Sequence, residues 1–332
     1  MTRWRPINPP LGILLAMWAP QSAIAGDLII PVACDIGRTC VIQNYVDIDD
    51  GPSARDYMCG TLTYDKHNGV DFRIISQGTE RIPVHVVAAA DGRVLRLRDG
   101  VADQPVKGDS REAIAGNECG NGVVVGHSGD RETQYCHLAK GSIAVRPGDV
   151  VRAGDLLGAV GMSGLTEYPH LHFIVRKGGK VIDPFGSSAP PGNCAVPPES
   201  EWTDDVRKRL TYTPRVVINA GFSTVAMTND MIEAGVDAQH RPETTAEALV
   251  AYVRAIGLKT GDEQSLVLRD PDGRIVAANR PKTLLRNQAQ TALFIGKKRS
   301  AASWPGGKYS ATYVVRNRNE LVLHRVFDLD LR

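Results

Sequence analysis

The chain has 332 residues, with 39 Lys and Arg against 37 Asp and Glu, 42% hydrophobic residues and 33 glycines. A length of about two ordinary domains, with 23% charged residues and no compositional bias, excludes a disordered, collagenous or polytopic membrane protein. Residues 1–25 stand apart: Arg3 and Arg5, an apolar run over 11–18, then Ala23-Ile24-Ala25 before Gly26. A basic start, an apolar stretch too short to span a bilayer and a small-x-small cleavage site describe a secretory signal peptide. The mature protein is therefore expected to begin at Gly26 and to be periplasmic or secreted, without a transmembrane segment. Losing Arg3 and Arg5 leaves 39 − 2 = 37 basic groups facing 37 acidic ones. Residues 26–200 hold 17 basic and 22 acidic groups and residues 201–332 hold 20 and 15, an asymmetry that points to two domains with different surfaces.

Short β-rich runs alternate with glycine turns at 84–89, 92–97, 122–125, 133–138, 150–151, 156–160 and 171–175. Strands this close leave little room for crossover helices, so an antiparallel sheet or barrel-like domain is expected over 26–186. Residues 187–198 are rich in Pro, Gly and Ser, support neither a helix nor a central strand, and read as a linker. Beyond it, runs at 215–219, 265–269, 274–278, 291–295, 308–316 and 321–329, with a Pro271-Asp272-Gly273 turn, predict an immunoglobulin-like β-sandwich over 199–332. Residues 246–256 fit a helix or a strand, and the surrounding turn signals favour strand. The expected fold class is all-β.

The six cysteines are Cys34, Cys40, Cys59, Cys119, Cys136 and Cys194. Export makes disulfides the default, and no Cys-x-x-Cys pair offers zinc-ribbon spacing. Many connectivities are possible; the expected one closes a local loop with Cys34–Cys40, bridges a hairpin with Cys119–Cys136 and leaves Cys59–Cys194.

The chemistry concentrates in His67-Asn68-Gly69-Val70-Asp71, Tyr135-Cys136-His137-Leu138 and Pro169-His170-Leu171-His172-Phe173. On a strand, residues two apart share a face, so His170 and His172 project from one side of the sheet. Histidine and aspartate suit zinc, and a catalytic zinc takes three protein ligands while keeping a position for water. His67, Asp71 and one of the 170/172 pair complete such a set, and zinc lowers the pKa of its water to about 7. Two further histidines remain to transfer protons and stabilise an oxyanion.

These segments resemble the LytM/lysostaphin-type zinc metallopeptidases, peptidase family M23, whose signature is His-x-x-x-Asp, a later histidine in a Tyr-x-His context and a terminal His-x-His. All three occur in that order, with Gly69 and Phe72 around the aspartate and Gly161-Met162-Ser163-Gly164 before the final pair. The resemblance covers about residues 58–186. It implies Zn2+ held by His67, Asp71 and His172, with His137 and His170 as catalytic histidines, and hydrolysis of peptide cross-links or stems of peptidoglycan. No His-Glu-x-x-His helix is present, so a glutamate base of the thermolysin kind is not expected. Two departures from the family pattern bear on substrate preference: Leu165-Thr166-Glu167-Tyr168 stands where relatives often carry small residues, and a polar stretch is inserted over 99–118.

Single residues have blander readings. His85, His127, His240 and His324 match no motif position and read as ordinary strand or surface histidines; Asp65 and Glu167 read as solvated or as supporting the ligands from behind, rather than as ligands. Residues 280–318 hold nine basic residues and no acid, read as a solvated basic face or a contact for an anionic envelope polymer. Nucleic-acid binding has no supporting motif. The second function class is a catalytically inactive LytM-type regulator acting on other cell-wall hydrolases; a degenerate member should lack His67, Asp71 or His172, and none is missing.

Overall fold

The structure is a computed structural model describing residues 26–75, 83–106, 114–186 and 199–332. The expected signal peptide and linker, with Cys194, lie outside the described residues. The chain is almost entirely antiparallel β, as expected. The first unit runs β1 (Cys40–Asn44), β2 (Val70–Ile74), β3 (His85–Val87), β4 (Gly92–Arg98), β5 (Asn121–His127), β6 (Arg131–Leu138), β7 (Val150–Val151), β8 (Leu156–Ala159), β9 (His170–Lys177) and β10 (Lys180–Ile182). Eight of these form one sheet in the order β1-β2-β9-β6-β5-β4-β7, with β10 also on β9, while β3 pairs with β8.

The order makes β2, β9 and β6 neighbours. Alternation then sorts their side chains between two faces. Val70 and Phe72 of β2, Leu171 and Phe173 of β9 and Tyr135 of β6 go to the core face and are fully buried. Each contributes roughly 1.5–3 kcal/mol by leaving water. The opposite face receives Asp71 and Arg73, in register with His172 and His170 respectively.

From residue 199 the chain returns to this first core: Leu28 bridges Trp202, and Trp202, Val206 and Leu210 around α1 (Asp204–Arg209) are buried in it. Then follow β11 (Val216–Ser223), α2 (Asn229–Glu233), β12 (Ala248–Leu258), β13 (Asp262–Arg269), β14 (Ile275–Ala278), β15 (Gln288–Lys298), β16 (Gly307–Asn317) and β17 (Glu320–Leu331). The ambiguous run at 246–256 is thus strand. Sheets β11-β12-β15 and β14-β13-β16-β17 share a second core, into which Leu249, Ala251 and Val253 of β12 and Tyr309, Ala311, Tyr313 and Val315 of β16 alternate. A small third cluster, Val41 of β1 with Ile218 and Ile256, joins the two units.

Disulfides link Cys34–Cys40 and Cys119–Cys136. Cys59 is also disulfide-bonded. In the basic window, Arg299 is spent on the carbonyls of Ala246, Ala301 and Ala302, and Lys308 pairs with Asp328 at 2.9 Å. No helix among the described residues is long and apolar enough to cross a membrane.

Candidate metal centre

Three residues converge on the polar face of the central strands. The donor atoms of His67, Asp71 and His172 all lie within 4.8 Å of one another. Asp71 and His172 are cross-strand partners on β2 and β9. His67 is brought up by the turn before β2, where Lys66 takes φ 64° and His67 N–H donates to Tyr64 O at 2.9 Å. Gly69 is required here, because a Cβ would come within 2.7 Å of the His172 ring and 2.8 Å of Phe173 O.

His170, one strand repeat from His172, shares its face. His137 reaches it differently: with Tyr135 facing the core and Cys136 in register with His172, plain alternation would send His137 to the core side. Its φ of 64° breaks the alternation and turns the ring back, so that it stands 4.6 Å from the His170 ring and 5.8 Å from the His172 ring. A non-glycine residue held there costs roughly 1–3 kcal/mol, and such conformations cluster at functional sites. The neighbouring Cys119–Cys136 disulfide and the bond from His137 N–H to Cys119 O at 2.8 Å hold it in place.

Each ring is oriented by an acceptor on its far side. His67 Nδ1 lies 2.6 Å from Tyr45 O, His137 Nδ1 2.8 Å from Ser163 O, and His170 Nδ1 2.9 Å from Tyr168 O. A carbonyl only accepts, so in all three rings the proton is on Nδ1 and the Nε2 lone pair faces the site. His172 is reversed: Nε2 donates to Asn68 Oδ1 at 3.0 Å, turning Nδ1 toward Asp71 Oδ1 at 2.7 Å. Asp71 is buried; its Oδ2 accepts from Asn44 Nδ2 at 2.8 Å and lies 3.2 Å from His67 Nε2, while Oδ1 is 3.5 Å from His170 Nε2.

His67 Nε2 is buried without a hydrogen-bond partner among the described residues. Imidazole lone pairs thus face a carboxylate inside a dry pocket, an arrangement that demands positive charge between them. A divalent cation meets it, and two nitrogens and one carboxylate oxygen suit zinc. The electrostatics agree. Burial pushes the Asp71 carboxyl up, but the surrounding histidines outweigh it and hold it well below the carboxylate range. Burial pulls His67 down, and Asp71 more than restores it, so the net shift is upward. Burial lowers His137 far below the ordinary histidine range, helped by its neighbouring histidines, and it lowers His170 as well. Both are neutral near pH 7, able to accept a proton at Nε2. Of the five residues only His172 is partly exposed.

The structure therefore brings together all five residues singled out by motif. His127 is a sheet residue, held between Asp91 O at 2.7 Å and Thr133 Oγ1 at 2.8 Å. Of the insertion over 99–118, Asp103 and Val106 pack on the loop before β9: Asp103 accepts from Met162 N–H at 2.7 Å and Val106 N–H donates to Thr166 O at 2.8 Å. Sequence reading gave no role to Asn44, Tyr45, Asn68, Ser163 or Thr166, three of which stand inside the quoted motifs. Tyr45 and Ser163 act through backbone carbonyls, which any residue type supplies, so no composition signal marks them. Thr166 bridges Tyr168 O and His170 Nδ1.

Three residues that could hold a metal ion thus lie beside two neutral histidines on one face of an antiparallel sheet. Residues 65–184 match the family model of peptidase family M23. An uncharacterized metalloprotease of Haemophilus influenzae is 30% identical over 139 residues, 42% of this chain and 24% of that protein. Peptidoglycan DD-endopeptidase ShyB of Vibrio cholerae is 29% identical over 124 residues, 37% of this chain and 24% of that one. A zinc-containing peptidase from Vibrio cholerae, among solved structures, is 24% identical with a TM-score of 0.29, covering 45% of this chain and 41% of that one. The chain thus spans about a quarter of the length of these two curated relatives.

Proposed function

We propose that this protein is an exported zinc metalloendopeptidase that hydrolyses peptide bonds in the cross-links or stems of peptidoglycan. The observation that carries the reading is the convergence of His67, Asp71 and His172 within 4.8 Å inside the segment matching peptidase family M23. His67 Nε2, Asp71 and His172 Nδ1 would hold the metal. A zinc ion there supplies Lewis acidity toward the scissile carbonyl and an activated water. His137 and His170, with protons pinned on Nδ1, present Nε2 lone pairs that take up a proton during attack and return it to the leaving amine. The Asn44 amide, donating to Asp71 Oδ2, fixes the carboxylate that would otherwise rotate. Peptidoglycan is favoured because the chain is similar to ShyB, named for DD-endopeptidase activity on that polymer. An extracytoplasmic site of action is supported by the disulfides of the first unit.

The test is a digest of purified peptidoglycans of known cross-link type, read by mass spectrometry, with metal content measured on the same preparation. Zinc near one equivalent with a defined product set supports the proposal. Full zinc loading with every cross-link intact overturns it and leaves the regulator reading.

A further inference from the structure

Arg73 stands two residues beyond Asp71 on β2, on the same face and in register with His170. It is fully buried, and two of its contacts are to other elements of the fold. Nη1 donates to Gln43 Oε1 of β1 at 2.7 Å, and Nη2 donates to Glu233 Oε2 of α2 at 2.8 Å, across the boundary between the two units. Its guanidinium carbon lies 4.0 Å above the centre of the Tyr168 ring, a cation–π contact in a dry site. Tyr168 in turn touches the chemistry twice: its ring centre is 4.9 Å from that of His170, and its carbonyl is the acceptor that holds His170 Nδ1–H at 2.9 Å.

The other end of this chain of contacts is equally fixed. Glu233 Oε2 also accepts from Arg254 Nη1 at 2.6 Å, and Arg254 Nε donates to Asn219 Oδ1 at 2.9 Å. Arg254 is as fully buried as Arg73. One carboxylate therefore neutralises two buried guanidiniums, one from each unit. Removing it leaves two like charges facing each other in a low dielectric, and the guanidinium that steadies Tyr168 has no reason to stay.

Resting on the hydrolase reading above, we propose that Glu233 of the second unit is a positioning residue for His170, acting through Arg73 and Tyr168, so that the active site is completed only by docking of the sandwich. The sandwich is then part of the catalytic apparatus, and the groove wall at Tyr168 is set by a residue more than sixty positions downstream of it.

The full-length protein tests this by two readouts. The first is solvent exchange of the His170 Nδ1–H, followed by NMR in metal-free, 15N-histidine-labelled protein. The second is steady-state cleavage of a soluble cross-linked muropeptide. Glu233→Gln should raise that exchange and lower kcat by about ten- to a hundredfold, the scale of a small misplacement of a reacting group, with KM and zinc content little changed. Glu233→Asp, which keeps the charge, should recover part of both. Tyr168→Leu leaves the Arg73, Glu233 and Arg254 group intact and should have the same effects, which keeps the test decisive if Glu233→Gln folds poorly. Wild-type protection of His170 in Tyr168→Leu, or in folded Glu233→Gln, overturns the proposal and makes the ion group mere adhesive between units. If wild-type protein cuts no muropeptide, the hydrolase reading falls alone, and the exchange comparison still decides the coupling.

Discussion

His137 shows how much of the centre was legible residue by residue. Its type and its place after Tyr135 mark it in the sequence, as do His67, Asp71, His170 and His172, because imidazoles and carboxylates at strand spacing are chemically conspicuous. The backbone twist that turns its ring to the site leaves no trace in composition, nor do the carbonyls of Tyr45, Ser163 and Tyr168 that choose its neighbours' tautomers. Two predictions belong at this scale. His172→Ala removes a ligand and should abolish stoichiometric zinc, while His170→Ala should keep the metal and lower kcat by about 10²–10⁴-fold, the range of a lost general acid or base; elemental analysis beside kinetics separates the two. Asp183 offers a pH test away from the metal. Buried near Asp56, it has one oxygen accepting from Phe185 N–H at 2.9 Å and Oδ2 without a partner among the described residues. Burial is the main cause that raises its pKa from 3.8 to about 7, and Asp56 adds to it. A carboxyl raised on folding favours the native state when protonated, so its contribution is full below about pH 4 and is lost as pH rises toward 7. Asp183→Asn should therefore match wild type in Tm near pH 4 and exceed it at pH 8; calorimetry across that window would show the curves diverging upward, and parallel curves would refute the assignment.

At the scale of elements, the strands read from alternation are found, including β12, where turn signals outvoted a helical pattern. Three strands escaped prediction, β1, β2 and the three-residue β10, and the first two are next to the site. β1 is buried at all five positions and shows no alternation, while β2 does alternate but over only five residues. Helix α2, only five residues long, is likewise too short for a periodic signal. The Cys119–Cys136 bridge is the elemental feature most open to test. It spans 17 residues and ends one position before His137. Replacing both cysteines by serine should cost about 3 kcal/mol by loop entropy, measured as a lower denaturation midpoint. It should also lower kcat beyond what stability explains at temperatures where the variant is fully folded, because the strained turn loses its staple.

The whole molecule behaves as two cores with a shared seam. Ile218 and Ile256 bury against Val41 of β1, and the Arg73, Glu233 and Arg254 group closes the same seam near the site. Ile218→Asp places an unpaired charge in that seam and should cost several kcal/mol. Calorimetry should then resolve two transitions where the wild type shows one; a single cooperative transition in the variant would mean that the seam is not what couples the units. The register of β2 on β9 has a further consequence, for assembly rather than catalysis. Asp71 and His172 lie 101 residues apart in sequence, though they face each other across adjacent strands. Pairing so distant pays its loop-closure entropy before any contact repays it, and topologies of this kind fold slowly. A metal ion captured early can engage only the local His67 and Asp71 pair. Full coordination waits until β9 has threaded between β2 and β6, so zinc cannot nucleate this fold as it does a zinc finger. Zinc held there would act instead as a late lock, drawing the chain to the native state by mass action once the central strands are in place.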